Sequence, residues 1–386
     1  MALELSGVAG QVESMGQELA KGARHREKVL PALRALLREF ADDQERLAAL
    51  AESAEGQRQR CAMPTAEPLD ARLPAPEAPA QATVLAADGS QIYPDPHGLA
   101  LYYLINVGSL VYRHGSGQAP RAGSDARLGH AVDPDGSLLS GERINARRDV
   151  AEMQALADLA EESLPDPAVA LLDSTLGLRA WGATIPQAEQ EALQETYLAQ
   201  MDRVRLAGVS LAGFVGRSRQ AGVVKLLGLA RQEDPANPSP GPSPFAGLTD
   251  QALWGDLAPG QRSALFLQPG ALPVYFFYLN AEPPDGPRPA GAESEPARIE
   301  LPEWVALSPE KVRQVHALVY DQCSINGGYP YALTRADELA IILTQEREAL
   351  EAMILQAMNR QGMPLPRISA KAAQKRIARA PSRRRP

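Results

Sequence analysis

The sequence predicts an α/β fold, a mixed sheet with flanking helices, preceded by an N-terminal helical segment. Three observations carry that prediction. Two short apolar runs, Thr83–Asp88 and Ala168–Asp173, are continuous rather than alternating, as strands buried on both faces are. Between them a pattern of helical period runs from Asn145 to Leu164. The chain has 386 residues, 45% of them apolar, enough for a substantial core.

Taken in order, residues 1–62 read as a helical segment. Val29, Leu30, Leu33, Leu36, Leu37, Phe40, Leu47 and Leu50 recur at spacings of three and four, the mark of one buried helix face, and Pro31 suits a first turn better than an interior. That face packs either on a partner chain or on the body of the protein. Residues 63–82 hold five prolines between Pro64 and Pro79 and read as an extended linker.

A third segment, 83–350, contains the predicted sheet. It opens with the strand Thr83–Asp88, a Pro/Gly turn at 94–98, a strand from Leu99 to Val107 and a third strand from Ser109. The helix 145–164 and the strand Ala168–Asp173 follow. Downstream come a helix over 187–206, a strand over 209–215, a helix over 218–230, and strands over 264–267 and 274–279. Residues 233–244, rich in Pro and Ser, read as a mobile surface loop. Gly327 to Asp337 opens a helix continuing through Leu339, Ala340, Leu343 and Leu350.

The last segment, 351–386, reads as a basic, disordered tail: nine Lys and Arg lie between Arg360 and Arg385 with no acid among them, although the whole chain carries a formal charge of −8. That asymmetry fits a polyanion partner, and equally a solvated terminus of Ala, Pro, Ser and Arg. No stretch approaches the roughly 20 apolar residues of a membrane span, and the N-terminus lacks a signal sequence, so the expectation is a cytoplasmic protein with no membrane contact. Cys61 and Cys323 are isolated, the five histidines show no paired metal spacing, and neither a Walker loop nor a Gly-x-Ser-x-Gly elbow occurs. Those absences argue against a P-loop ATPase and an α/β-hydrolase.

Carboxylates carry the chemistry. Asp88 and Asp173 stand at the ends of the two apolar runs, and Glu152 lies on the helix between them. Each aspartate alone is also an ordinary turn or capping residue. On a helical wheel Val150, Met153, Leu156, Ala157, Leu159, Ala160 and Leu164 cover one face, with Glu152 inside it; Asp149 falls in the same arc and is the rival ligand. A carboxylate on a buried face needs a cation, an arginine or a raised pKa. Asp337 is a fourth candidate, although Thr334-Arg-Ala-Asp337 also resembles a capping box. Hard cations take oxygen ligands, and two ions about 4 Å apart need carboxylates from several elements.

Three strands, a helix and a fourth strand, with carboxylates on the first strand, the helix and the fourth strand, resemble the opening of the ribonuclease-H-like fold. In more detail the chain resembles the NurA nuclease family, on the motifs Ala87-Asp-Gly-Ser-Gln-Ile92, Tyr102-Tyr-Leu-Ile-Asn-Val-Gly108, Arg147-Arg-Asp-Val-Ala-Glu152 and Leu171-Leu-Asp-Ser-Thr-Leu176. Gly213-Phe-Val-Gly-Arg-Ser218, Leu257-Ala-Pro-Gly-Gln-Arg-Ser263, Arg298-Ile-Glu-Leu-Pro-Glu-Trp304 and Gly328-Tyr-Pro330 follow in order.

The resemblance implies a metal-dependent DNA nuclease, a 5'-3' exonuclease and single-strand endonuclease that processes DNA ends in double-strand break repair. It implies Mn²⁺ or Mg²⁺ on Asp88, Glu152 and Asp173, favours Glu152 over Asp149, and places Tyr329 near the active site. Asp337 stands where some relatives have histidine, a substitution that keeps an oxygen ligand. The implied partners are DNA, a hexameric HerA-type ATPase and a second copy in a homodimer. Arg217, Ser218, Arg262 and Arg298 are candidates for holding phosphates. The competing reading is a catalytically weak DNA-binding partner of a HerA-type translocase. An actin-like kinase or ATPase on a related core would need glycine-rich phosphate hairpins that the sequence does not offer.

Overall fold

The computed structural model describes residues 5–98, 100–133, 135–162, 167–177, 185–232, 243–286 and 293–363. The chain forms two compact units, each assembled from separated stretches: residues 1–79, 174–178 and 211–330 in the first, and 80–173, 179–210 and 331–386 in the second. After a short 3-10 turn (Leu5–Val8), the first unit begins with the helices α1 (Ala9–Glu39), α2 (Gln44–Glu52) and α3 (Ala54–Gln59) and the short strand β1 (Met63–Pro64). Pro31 lies inside α1 rather than at a first turn, where it removes one intrahelical hydrogen bond. The apolar stripe packs on its own unit: Leu33, Leu37, Phe40 and Leu47 bury against Val223, Leu226, Leu227 and Trp254. It is therefore not an open face for a partner chain. The proline-rich stretch that follows is extended and is tied down along its length. Thr65 donates to the Leu265 carbonyl at 2.7 Å, and both oxygens of Glu67 accept from the Arg262 fork at 2.7 and 2.8 Å.

The second unit opens with β2 (Ala82–Ile92), which runs four residues beyond Asp88, so that this carboxylate sits within a strand rather than at its end. β3 (Tyr102–His114) pairs with it antiparallel as one 13-residue strand, absorbing both the expected second strand and the one expected from Ser109. The real third strand, β4 (Arg121–His130), is an exposed, largely polar edge without apolar alternation, so the pattern that marks a strand is missing. α4 (Gly141–Ala160) begins four residues before the expected Asn145, because the Ser140 hydroxyl accepts the Arg143 amide at 3.3 Å and caps the helix. β5 (Ala168–Leu172) then pairs parallel with β2, from Thr83 opposite Ala168 to Ala87 opposite Leu172. An antiparallel meander, a helix, and a fourth strand beside the first, in the order β4-β3-β2-β5, is the ribonuclease-H-like arrangement. α5 (Gln187–Leu206) follows as expected and packs beside α4, with Glu189 gripped by Arg143 at 2.6 Å and Arg147 at 2.9 Å.

The chain then supplies β6 (Ser210–Val215), α6 (Gly222–Ala230), α7 (Asp250–Leu253), β7 (Phe266–Gln268), β8 (Val274–Leu279), β9 (Ala297–Leu301), α8 (Glu303–Ala306) and α9 (Pro309–Ile325). In the first unit β9 lies between β8 and β6, antiparallel to both, and β7 joins β8 to β1. α6 starts at Gly222 rather than Ser218, and buried Asp250 accepts the Val224 amide at 2.9 Å near that helix start. The segment expected as a mobile loop lies for the most part, from 233 to 242, outside the described residues.

The last two helices are α10 (Tyr331–Ala340) and α11 (Thr344–Arg360), separated by Ile341–Leu343, where one continuous helix was expected. The break has a cause on the sheet. The Asn106 amide donates to the carbonyls of Leu339 and Ala340 at 3.2 and 2.9 Å and ends α10 there. The Glu346 carboxylate then accepts the Leu343 amide at 2.8 Å and starts α11. Thr334 and Asp337 are thus interior to α10, and the capping-box reading is overturned. α11 carries the chain to Arg360; the basic segment from 364 onwards lies outside the described residues.

Candidate metal centre

Four of the expected site residues, Asp88, Glu152, Asp173 and Asp337, belong to the second unit and converge there. The β2–β5 ladder ends at the pair Ala87 and Leu172, so Asp88 and Asp173 are the next residues on two adjacent parallel strands. Asp337 arrives from α10, which lies against β2 and β3. Its approach depends on Gly108, directly opposite Asp88 in the β2–β3 ladder: a Cβ at 108 would stand 2.2 Å from the Ala336 carbonyl oxygen and 2.7 Å from the Ala340 nitrogen. Glu152 reaches in from α4 at 6% exposure, over Gly89, where a Cβ would stand 2.6 Å from its Oε1.

The electrostatics agree with that convergence. Burial, a hydrogen bond shared with Asp337, the charge of Asp337 and that of Asp173 push the Asp88 carboxyl up to about 6, against the Gly89 amide, which lowers it. Burial also holds Glu152 well above the usual carboxylate range; Arg148 opposes this, while Asp149, Asp88 and Asp173 reinforce it. Carboxyls crowded and desolvated in this way call for a cation, and their oxygen donors suit a hard divalent ion such as Mn²⁺ or Mg²⁺. The donor set therefore fits the metal that the family resemblance implies. Among the described residues, however, no three carboxylate, histidine or cysteine side chains are already drawn into a ready-made metal cage.

A cleft of about 650 Å³ adjoins the site, running past Ser90 and Gln91 between the segments 92–96 and 341–344, with Arg347 at its wall. Gln91 continues a polar chain along it, donating to the Tyr93 hydroxyl at 2.8 Å, which in turn donates to Asn145 at 2.6 Å.

Tyr329 belongs to the first unit, where its ring stands edge-on to Phe214 with centroids 5.2 Å apart. Two of the expected phosphate contacts are spent elsewhere in that unit. Arg298, 2% exposed, pairs with Glu300 at 2.7 Å and lies 3.5 Å over the Phe276 ring, while Arg262 is clamped on Glu67. Ser218 is buried; Arg217 remains at the surface, loosely paired with Glu295 at 3.7 Å.

Sequence reasoning missed Arg148, Gly89 and Gly108. Arg148 precedes Glu152 by four residues, a spacing that places both on one helix flank, and Gly89 follows an aspartate in a strand where a side chain would be expected.

Comparison with solved structures finds the NurA nuclease from Sulfolobus solfataricus at 12% identity, covering 84% of this chain and 96% of that one, with a TM-score of 0.47. NurA bound to dAMP and manganese is 11% identical, over 91% of this chain and 97% of that one, also with a TM-score of 0.47. The catalytic domain of human Endonuclease V is 14% identical, over 83% and 96%, with a TM-score of 0.31. A comparison with curated proteins finds no match. The sequence model of the NurA domain matches residues 82–342, two thirds of the 386 residues and the whole span from β2 to the α10–α11 break, and the chain belongs to the NurA family.

Proposed function

We propose that this protein is a divalent-metal-dependent deoxyribonuclease, with Asp88, Glu152, Asp173 and Asp337 holding Mn²⁺ or Mg²⁺. The observation that carries the reading is the gathering of four carboxylates from β2, α4, the end of β5 and α10, one of them buried, in a member of the NurA family. Divalent ions held there supply the charge that activates water and stabilises the leaving oxygen of a phosphodiester. The chain's own contribution is rigidity. β2 and β5 fix two aspartates, and α4 and α10 press the other two carboxyls onto them, which pre-pays the ordering that a flexible site would lose.

The finer reading is a 5'-3' exonuclease and single-strand endonuclease acting on DNA ends in double-strand break repair, with Tyr329 contributing to catalysis. Its partners are DNA, a hexameric HerA-type ATPase and a second copy of the chain. The reading also puts the protein in the cytoplasm. Supporting this, no Walker motif is present to move a strand, so processive action needs an external motor. No helix among the described residues is long and apolar enough to cross a membrane.

The test is cleavage of single- and double-stranded DNA labelled at either end, with Mn²⁺, with Mg²⁺ and with chelator, for the natural chain and Asp88→Asn. Metal-dependent loss of the 5' label ahead of the 3' label, absent in the variant, is the expected result. Metal-independent cleavage, or cleavage surviving in Asp88→Asn, overturns it; light scattering with and without the ATPase decides the assembly.

A further inference from the structure

Arg148 makes three polar contacts beside the candidate centre, one of them with a proposed ligand. Its Nε stands 3.0 Å from Glu152 Oε1, its Nη2 donates to Asp149 Oδ1 at 3.0 Å, and its Nη1 donates to Gln91 Oε1 at 3.0 Å. The first contact is an ion pair without hydrogen-bond alignment, since the buried Nε–H finds no properly directed acceptor. Gly89 makes room for it: a Cβ there would stand 2.7 Å from Arg148 Cγ. The guanidinium also lies in the field of Asp88.

We infer that Arg148 is a built-in counter-cation that competes with divalent metal for Glu152, yielding that carboxylate when metal binds and remaining anchored through Asp149 and Gln91. This rests on the metal-nuclease reading above and deepens it. The geometry distinguishes a competitor from a simple organiser. An organiser would donate aligned hydrogen bonds to Glu152, as Arg262 does to Glu67 with two contacts of 2.7 and 2.8 Å. Arg148 instead directs its two aligned bonds at groups outside the four proposed ligands and holds Glu152 only by charge. A charge-only contact is the one that a divalent ion, with twice the charge and a preference for carboxylate oxygen, replaces most readily. One oxygen of the most buried of the four carboxylates therefore faces a guanidinium.

The experiment measures metal binding itself, without DNA. Mn²⁺ is titrated into the natural chain, Arg148→Met, Arg148→Lys and Asp88→Asn, with the free aquo-ion followed by electron paramagnetic resonance and the fold checked by circular dichroism. An opposite charge within about 4–6 Å shifts a carboxylate's proton affinity by about one to three decades, so removing Arg148 tightens Mn²⁺ by about tenfold or more, with Arg148→Lys between the two. In a parallel Mg²⁺ titration the Arg148 Nε–H resonance of the natural chain moves with saturation. Equal or weaker Mn²⁺ binding in folded Arg148→Met, or a stationary Nε–H resonance while Mg²⁺ saturates, overturns the competition. Should Arg148→Met not fold, Arg148→Lys and the resonance carry the decision. If the natural chain takes up neither ion, or Asp88→Asn binds as well as it does, the metal-centre reading fails and this inference falls with it; competition failing alone leaves that reading standing.

Discussion

Asp88 faces Gly108 across the β2–β3 ladder, and the side chain that residue 108 lacks is what admits α10, and with it Asp337, to within hydrogen-bonding reach of Asp88. A backbone feature of one strand thus sets the distance between two carboxyls separated by some 250 residues of sequence, a scale on which chain entropy alone would keep them apart.

Gly108→Ala should therefore act on both stability and activity. The added methyl meets backbone, which cannot rotate away, so the expected cost is roughly 1–3 kcal/mol with loss of metal-dependent cleavage. Gly123→Ala on β4 is the control, since its nearest neighbour would be Ser109 Oγ at 3.8 Å. Urea midpoints that are the same for both variants would show that α10 does not depend on the bare backbone at 108.

Glu152 and Asp149 share a helix flank and differ in surroundings: Glu152 is buried, while Asp149 is partly open and accepts from Arg148 Nη2. Glu152→Gln should lower cleavage by more than about 100-fold, beyond the roughly 10–100-fold typical of an outer partner, and Asp149→Asn should fall within that outer range. The reverse order in initial rates would make Asp149 the ligand.

His316 on α9 is buried with a ring nitrogen 2.8 Å from the Gly260 carbonyl oxygen, against the Phe277 ring and near Arg262 and Glu67. Burial lowers its pKa from 6.5 to about 4, with Arg262 adding to the fall and the Gly260 carbonyl and Glu67 opposing it. Between those values the unfolded chain binds a proton that the folded chain refuses, so stability is full above pH 6.5 and declines as the pH falls towards 4. The contribution is on the order of 3 kcal/mol, and His316→Gln should flatten that part of the stability profile. Denaturant midpoints at pH 7 and pH 5 that drop equally in both proteins would dismiss the histidine.

Deleting everything after Pro364 removes eight basic side chains between Arg367 and Arg385. If they meet phosphates, every phosphate that the shortened chain no longer neutralises lowers the slope of log affinity against log salt by roughly 0.7–0.9. Parallel slopes for full-length and truncated protein, measured by fluorescence anisotropy on labelled DNA, would show a tail that takes no part.

The strands that lead into Asp88 and Asp173 were legible because Val84–Ala87 and Val169–Leu172 are buried on both faces and their sequence is continuously apolar. α4 was legible because burial of one face imposes the helical period. β4 was not, since an exposed edge strand has no reason to alternate. β9 was not, since Arg298 and Glu300 neutralise each other inside it and break the apolar run. The α10–α11 break escaped notice for a different reason: its cause, Asn106, sits more than 230 residues away on β3. Arg148 was hidden by the same logic, because whether a helical arginine is solvated or engaged depends on what the fold brings opposite it.

The second unit is interrupted in sequence by residues 211–330, and this has a consequence for how the protein is made. Asp88, Glu152 and Asp173 leave the ribosome first, and the roughly 160 residues before Asp337 take on the order of 10–30 s more at 5–20 residues per second. Throughout that interval the groove over Gly108 is bare and the three early carboxylates lack their fourth. Nascent chains thus pass through a stage in which β2 and β3 expose apolar surface that the late-arriving α10 and α11 cover, a period when a chaperone has something to hold and the fourth carboxylate is still missing.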